Sequence, residues 1–160
     1  MARQLIDSWG DYQTAIDRLL AVASHKICIY DEDLAQLKLD SPARLDRLKR
    51  LLNGGGTSPR LQIAVRNSEP LRRQHPSLLN LLATHGHLFA MQQTAPQLAH
   101  LRDAMIIVDD SHGLIRFERD LPRSKLLIDE NEELKPYRSR FTDLWNEGGG
   151  EAVNTTVLGL

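Results

Sequence analysis

His100-Leu101-Arg102-Asp103-Ala104-Met105-Ile106-Ile107-Val108-Asp109-Asp110 sets an unbroken apolar run, Ala104 to Val108, between polar ends. A short apolar run rich in β-branched residues and bounded by turn-formers reads as a strand buried on both faces. Ser111-His112-Gly113 supplies a turn, and Leu114 to Glu118 pairs back as a hairpin. The neighbouring Asp109, Ser111 and His112 do not make a Ser-His-Asp triad. Consecutive residues in a tight turn cannot converge as separate elements do, and Asp and Gly are ordinary turn residues.

Upstream of this strand, helices and strands alternate. A first helix is predicted from Asp11, as cap, to Ser24, with Tyr12, Ile16, Leu19, Leu20 and Ala23 on one face. A nearly all-apolar strand follows at Lys26 to Tyr30 and leads into the acidic loop Asp31-Glu32-Asp33-Leu34. Ser41-Pro42 starts a second helix, buried along Leu45, Leu48 and Leu52 and decorated by Arg44, Arg47, Lys49 and Arg50; Gly54-Gly55-Gly56 stops it. Leu61 to Val65 is the next strand, ending at Arg66 to Pro70. His75-Pro76-Ser77 opens a leucine-rich helix that ends near Gly86, and His87 to Gln93 is a weaker strand. Thr94 to Leu101 is a loop.

Downstream, Lys125 to Ile128 is a short strand. A closing helix begins near Asp129 to Glu133 with Leu134, Tyr137, Phe141 and Leu144 on its face and Trp145 beside them. Gly148-Gly149-Gly150 ends that helix, and a polar tail runs to Leu160. Alternating elements imply right-handed crossovers and parallel strands. The expected fold is one α/β domain over 1–147 with a tail at 148–160. Its sheet is mixed, mainly parallel with an antiparallel hairpin, and has helices on both faces.

The length suits a single core. A net charge of −1 gives no global attraction to nucleic acid or anionic membrane. The basic stripe on the second helix lacks aromatic partners, so nucleic acid is not expected as a partner. The lone Cys28 is expected to be a buried core residue in a reducing cytoplasm. No apolar run approaches the ~20 residues that span a bilayer, and Met1 to Gln4 lead into no signal-peptide core. The two Gly-Gly-Gly runs match neither a Walker nor a Rossmann spacing. His85-Gly86-His87, His100 and His112 do not supply the convergent ligands a metal needs, so neither metal nor cofactor is expected. Arg66, Arg72, Arg73 and His75 follow a strand end, where open α/β sheets bind ligands, and form a candidate anion site. Salt bridges to Asp31, Glu32 and Asp33 are the plainer expectation for them.

The order of elements resembles one half of a phospholipase-D-like domain. More closely, the chain resembles a group of uncharacterised bacterial proteins in which that domain is degenerate. The likeness is carried by Ser41 to Leu45, His100 to Asp103 with Ile107 to Asp109, Phe141 to Trp145, and Thr155 to Leu160. In the active family a strand motif His-x-Lys-x-x-x-x-Asp forms a phosphohistidine, stabilises the phosphoryl oxygens and orients the histidine. Placing Asp109 in the aspartate slot puts Arg102 and Ala104 in the other two. Asp110 brings Asp103 and Met105, and His100 brings Arg102 and Ile107. No register supplies all three groups. The resemblance therefore implies a non-catalytic interaction or scaffold module, with homodimerisation and an unknown protein partner. The alternatives are an altered phosphodiester-processing enzyme with His100, Arg102, Asp103 and Asp109 near its site, or an anion- or nucleic-acid-binding module. Asp103 is expected to accept hydrogen bonds from nearby backbone, Arg102 or Arg116.

Overall fold

A computed structural model describes residues 1–153. The decisive run is strand β5 (Ala104–Val108), buried at every position and lying near the middle of an eight-stranded sheet. The other strands are β1 (Ala2–Ile6), β2 (Ile27–Asp31), β3 (Leu61–Val65), β4 (Phe89–Gln93), β6 (His112–Arg116), β7 (Ser124–Ile128) and β8 (Glu151–Ala152). Their order is β1-β7-β6-β5-β2-β3-β4-β8. The sheet is mixed, as expected, but its balance is the reverse of the expectation. Among the described residues only β2–β3 and β3–β4 pair in parallel; the remaining neighbours are antiparallel. Crossover helices produce the parallel pairs, whereas β5, β6 and β7 are joined by turns.

Helices cover both faces. On one, α1 (Trp9–Val22), α2 (Pro42–Leu52), the single turn α3 (Leu71–Gln74) and α4 (Pro76–Thr84) close the larger core, with Ile16, Leu19, Leu48 and Leu78 fully buried. On the other, α5 (Asn131–Asn146) crosses the sheet alone, burying Leu134, Phe141 and Leu144 against Tyr30, Met105, Ile107 and Leu127.

Several local expectations need correction. Strand β1 was not anticipated: four of its five residues are exposed, so it carries no apolar signal, yet it adds to the sheet beside β7. Helix α1 starts earlier than expected, capped by Ser8, whose Oγ accepts the Asp11 N–H. Ser41 makes no side-chain cap, and Pro42 alone pre-sets the start of α2. Arg44 is buried rather than solvated. Its guanidinium reaches Asp17, the Gln13 amide and the Leu37 carbonyl, which together satisfy a charge inside the α1–α2 seam. Cys28 is half-buried rather than enclosed. The hairpin turns at Asp109 and Asp110, both at positive φ, a conformation aspartate tolerates better than most residues. The tail begins with order: β8 pairs antiparallel with β4. The remaining tail residues, 154–160, lie outside the described residues, including the Thr155 to Leu160 segment of the resemblance.

Candidate functional site

The C-terminal ends of β2, β3 and β4 meet the start of β5 and the end of β6. Charged residues gather there on both faces of the sheet.

On the α1 face, Arg116 Nη2 donates to Asp31 Oδ1 at 2.7 Å, with both side chains only 2% exposed. Their strands are not neighbours, because β5 lies between β6 and β2. The crossing point is Ala104, the register partner of Arg116. Its methyl group leaves room for a guanidinium above it. The Arg116 guanidinium also sits over the rings of Tyr12 and Trp9, at 5.1 and 5.6 Å. Asp31 Oδ2 accepts the N–H groups of Leu34 and Asp33 at 2.7 and 3.2 Å. Burial pushes the Asp31 carboxyl up, while Arg116 and these N–H groups oppose that shift. Arg116 lines a cavity of about 350 Å³ together with Glu32, Arg119 and Asp120.

On the α5 face, Arg66 stacks over the Tyr30 ring at 4.9 Å. Its Nε donates to Glu32 at 2.9 Å and its Nη1 to the Asp103 carbonyl at 2.7 Å. Arg119 adds a second cation to Glu32 at 3.0 Å. Burial opposes ionisation of Glu32, but its two arginines outweigh it and hold the carboxyl below its ordinary range. Asp103 is gripped through both oxygens by Arg140 of α5, at 2.9 and 3.1 Å. Arg102 is exposed and donates to Glu118 and Asp120, at 2.6 and 2.7 Å. The expected donors to Asp103 are thus corrected. Arg102 and Arg116 are taken by other carboxylates, and Arg140 serves Asp103 instead.

The four candidate catalytic residues do not form one site. His100, Arg102 and Asp103 lie at the start of β5, with His100 exposed. Asp109 lies at the opposite end of the strand and faces away from them. There its carboxylate accepts the backbone N–H groups of Ser24, His25 and Lys26, each at 2.8 Å, and so anchors the loop between α1 and β2. The candidate anion residues are also divided. Arg66 is buried under α5, Arg72 and Arg73 are exposed on α3, and His75 is buried with neither ring nitrogen hydrogen-bonded. Burial lowers the His75 pKa. Of the arginines in that group, Arg66 makes the expected bridge to the acidic loop, while Arg73 lies 4.0 Å from Glu69, which precedes α3. Among the described residues, no group of three His, Cys, Asp or Glu side chains is placed to hold a metal. No helix among them is long and apolar enough to cross a membrane.

The sequence offered Asp31 and Arg116 with other partners and did not single out Arg140. One signal was available. Arg116 follows Leu114 and Ile115 within a strand, and a charge continuing an apolar run asks for a buried partner.

Residues 9–152 match the family described as a domain of unknown function, DUF7931. The chain belongs to this family. No curated protein matches the DUF7931 chain in sequence. Its fold is shared with solved structures of low identity. TrmBL2, an archaeal chromatin protein with a novel mode of DNA binding, superposes with a TM-score of 0.69 at 15% identity over 96% of this chain. The DUF7931 chain spans about half of TrmBL2, 55% of its length. The phospholipase D family member NUC from Salmonella typhimurium gives 0.64 at 15% identity, covering 96% of this chain and 98% of its own. NucT from Helicobacter pylori gives 0.57 at 11% identity, over 95% and 99%. The DUF7931 fold is therefore phospholipase-D-like. These neighbours correct one expectation. A DNA-binding chromatin protein carries the same fold, so near-zero net charge is no ground for setting nucleic acid aside. Net charge is a global sum, and binding depends on the local surface.

Proposed function

We propose that the DUF7931 domain is a non-catalytic phospholipase-D-like module that works by binding. The observation that carries this reading is the crossing of Arg116 and Asp31 at Ala104. With Asp109 in the aspartate slot of the active motif, Ala104 takes the lysine slot and Arg102 the histidine slot. Ala104 is 2% exposed and lies under an ion pair, where a lysine has no room. Arg102 is no nucleophile and is tied to two carboxylates. Asp103, the candidate acid next to Arg102, is neutralised by Arg140. A cooperating catalytic set loses several orders of magnitude in rate when one member is missing. The single half-buried thiol of Cys28 fits a reducing, cytoplasmic setting.

A screen with bis-p-nitrophenyl phosphate, single-stranded DNA and phosphatidylcholine micelles tests this reading. No turnover above that of the Asp103→Ala variant is expected. Hydrolysis abolished by Asp103→Ala but retained in Arg66→Ala would overturn it.

Nucleic acid is a second reading. It is favoured by the shared fold of TrmBL2 and by Arg47 and Lys49 of α2, which are exposed and make no ion pair among the described residues. Retention on DNA that falls steeply with salt, and weakens in Arg47→Ala/Lys49→Ala, is its signature.

A further inference from the structure

The α5 face of the sheet is closed at one end and open at the other. Tyr30 and Ala64 of the central strands β2 and β3 are buried there, yet Cys28 and Gln62, two residues earlier on the same face, remain half-exposed. Central strands of this kind are normally covered on both faces. The uncovered stretch floors a cavity of about 390 Å³ beside the last turns of α5, at the opposite sheet end from Asp103. That volume falls within the roughly 300–1,000 Å³ of small-molecule sites.

The lining has three distinct parts. One wall is aromatic: Trp145 stacks on Phe141 with centroids 5.9 Å apart and an interplanar angle of 23°. The Gln62 and Asn146 amides supply donors and acceptors. The rim carries Lys26, Arg138 and Asp110, a net charge of +1. Arg138 is fixed by bonds to the Asp110 and Asn131 carbonyls, while Lys26 makes no ion pair among the described residues. Cys28 directs its thiol to Gln62 Oε1 at 3.7 Å. Burial pushes that thiol up to about 11, so it contacts a ligand as a neutral group and reacts with alkylating agents slowly.

We propose that this cavity binds a nucleoside monophosphate, its base against the Trp145–Phe141 wall, its edge on the Gln62 and Asn146 amides, and its phosphate at Lys26. No glycine-rich loop is involved. The site lies at the opposite sheet end from Asp103 and Arg140 and stands whether or not that end is catalytic.

Two readouts test it. Trp145 fluorescence in a Trp9→Phe background reports ring stacking. Alkylation of Cys28, the sole cysteine, by a neutral maleimide reports occupancy in the unmodified chain. Uridine or adenosine 5′-monophosphate is expected to quench Trp145 saturably and to slow alkylation severalfold. Lys26→Ala is expected to weaken binding about tenfold, the loss of one charge-assisted contact, and Arg18→Ala, exposed on α1 and outside the cavity lining, to leave it unchanged. Four results would overturn the proposal: absence of saturation by either readout, indifference to Lys26→Ala, equal affinity for ribose 5-phosphate, or tighter binding of oligothymidine than of the monomer.

Discussion

Arg116 and Asp31 reach each other over Ala104, and the strand between them separates their backbones but not their charges. Both side chains are removed from water, so each depends on the other. Breaking a buried pair costs about 3–5 kcal/mol, whereas replacing both partners by apolar groups is often neutral. Arg116→Met and Asp31→Leu are each expected to lose that amount. The double variant is expected to recover most of it, and urea denaturation of the four proteins checks the cycle.

Ala104→Lys is the change that would rebuild the lysine slot of the active motif. It inserts a long cation beneath Arg116 at a fully packed position. Overpacking alone costs about 1–3 kcal/mol, and a second buried cation adds to it. A destabilisation above about 3 kcal/mol is expected, with no phosphodiesterase activity gained. A stable, active Ala104→Lys protein would count against the non-catalytic reading.

Asp109 gives a pH dependence. Burial opposes its ionisation, but the N–H groups of Lys26, Ser24 and His25 prevail and hold its carboxyl below the ordinary value. Its contribution to stability is therefore complete above the unfolded value of about 3.9 and is lost as pH falls through the folded value. Asp109→Asn is expected to destabilise the domain by about 2 kcal/mol at neutral pH and to flatten the acid limb of its stability curve. Thermal melts from pH 2 to 7 measure both.

Gly113 illustrates packing at the start of the hairpin return. A Cβ there would lie 2.5 Å from Leu134 Cδ2 and 3.3 Å from the Ile106 carbonyl oxygen. Gly113→Ala is expected to cost about 1–3 kcal/mol, because the fully buried Leu134 side chain must give way in a packed core. Gly10→Ala, whose Cβ meets nothing within 4 Å, is the matched control in the same denaturation assay.

Much of this architecture was legible in the sequence because burial and period coincide there. β5 reads as a strand since all its side chains are apolar, and α1 and α5 show helical spacing of the residues they bury. β1 escaped because an edge strand needs only backbone partners, and Arg3 finds its carboxylate, Glu133, far along the chain. The charges at the strand ends could be located but not paired. Asp103 and Arg140 are 37 residues apart, and nothing local distinguishes Arg140 from Arg138, which turns to the Asp110 carbonyl at the other sheet end. Arg44 was misjudged for a related reason: its helix position looks solvated until Asp17 and Gln13 arrive from α1.

The seat of β1 beside β7 has a kinetic consequence. Ala2 pairs with Ile128, so β1 gains no neighbour until β7 has been made. Closing so long a loop is slow, and proteins dominated by distant pairings fold late and cooperatively. During synthesis the β7 edge of the sheet does not yet exist, and Ala2 to Ile6 remains an unattached ribbon with Leu5 uncovered. Until then that ribbon is open to a chaperone or to a neighbouring copy.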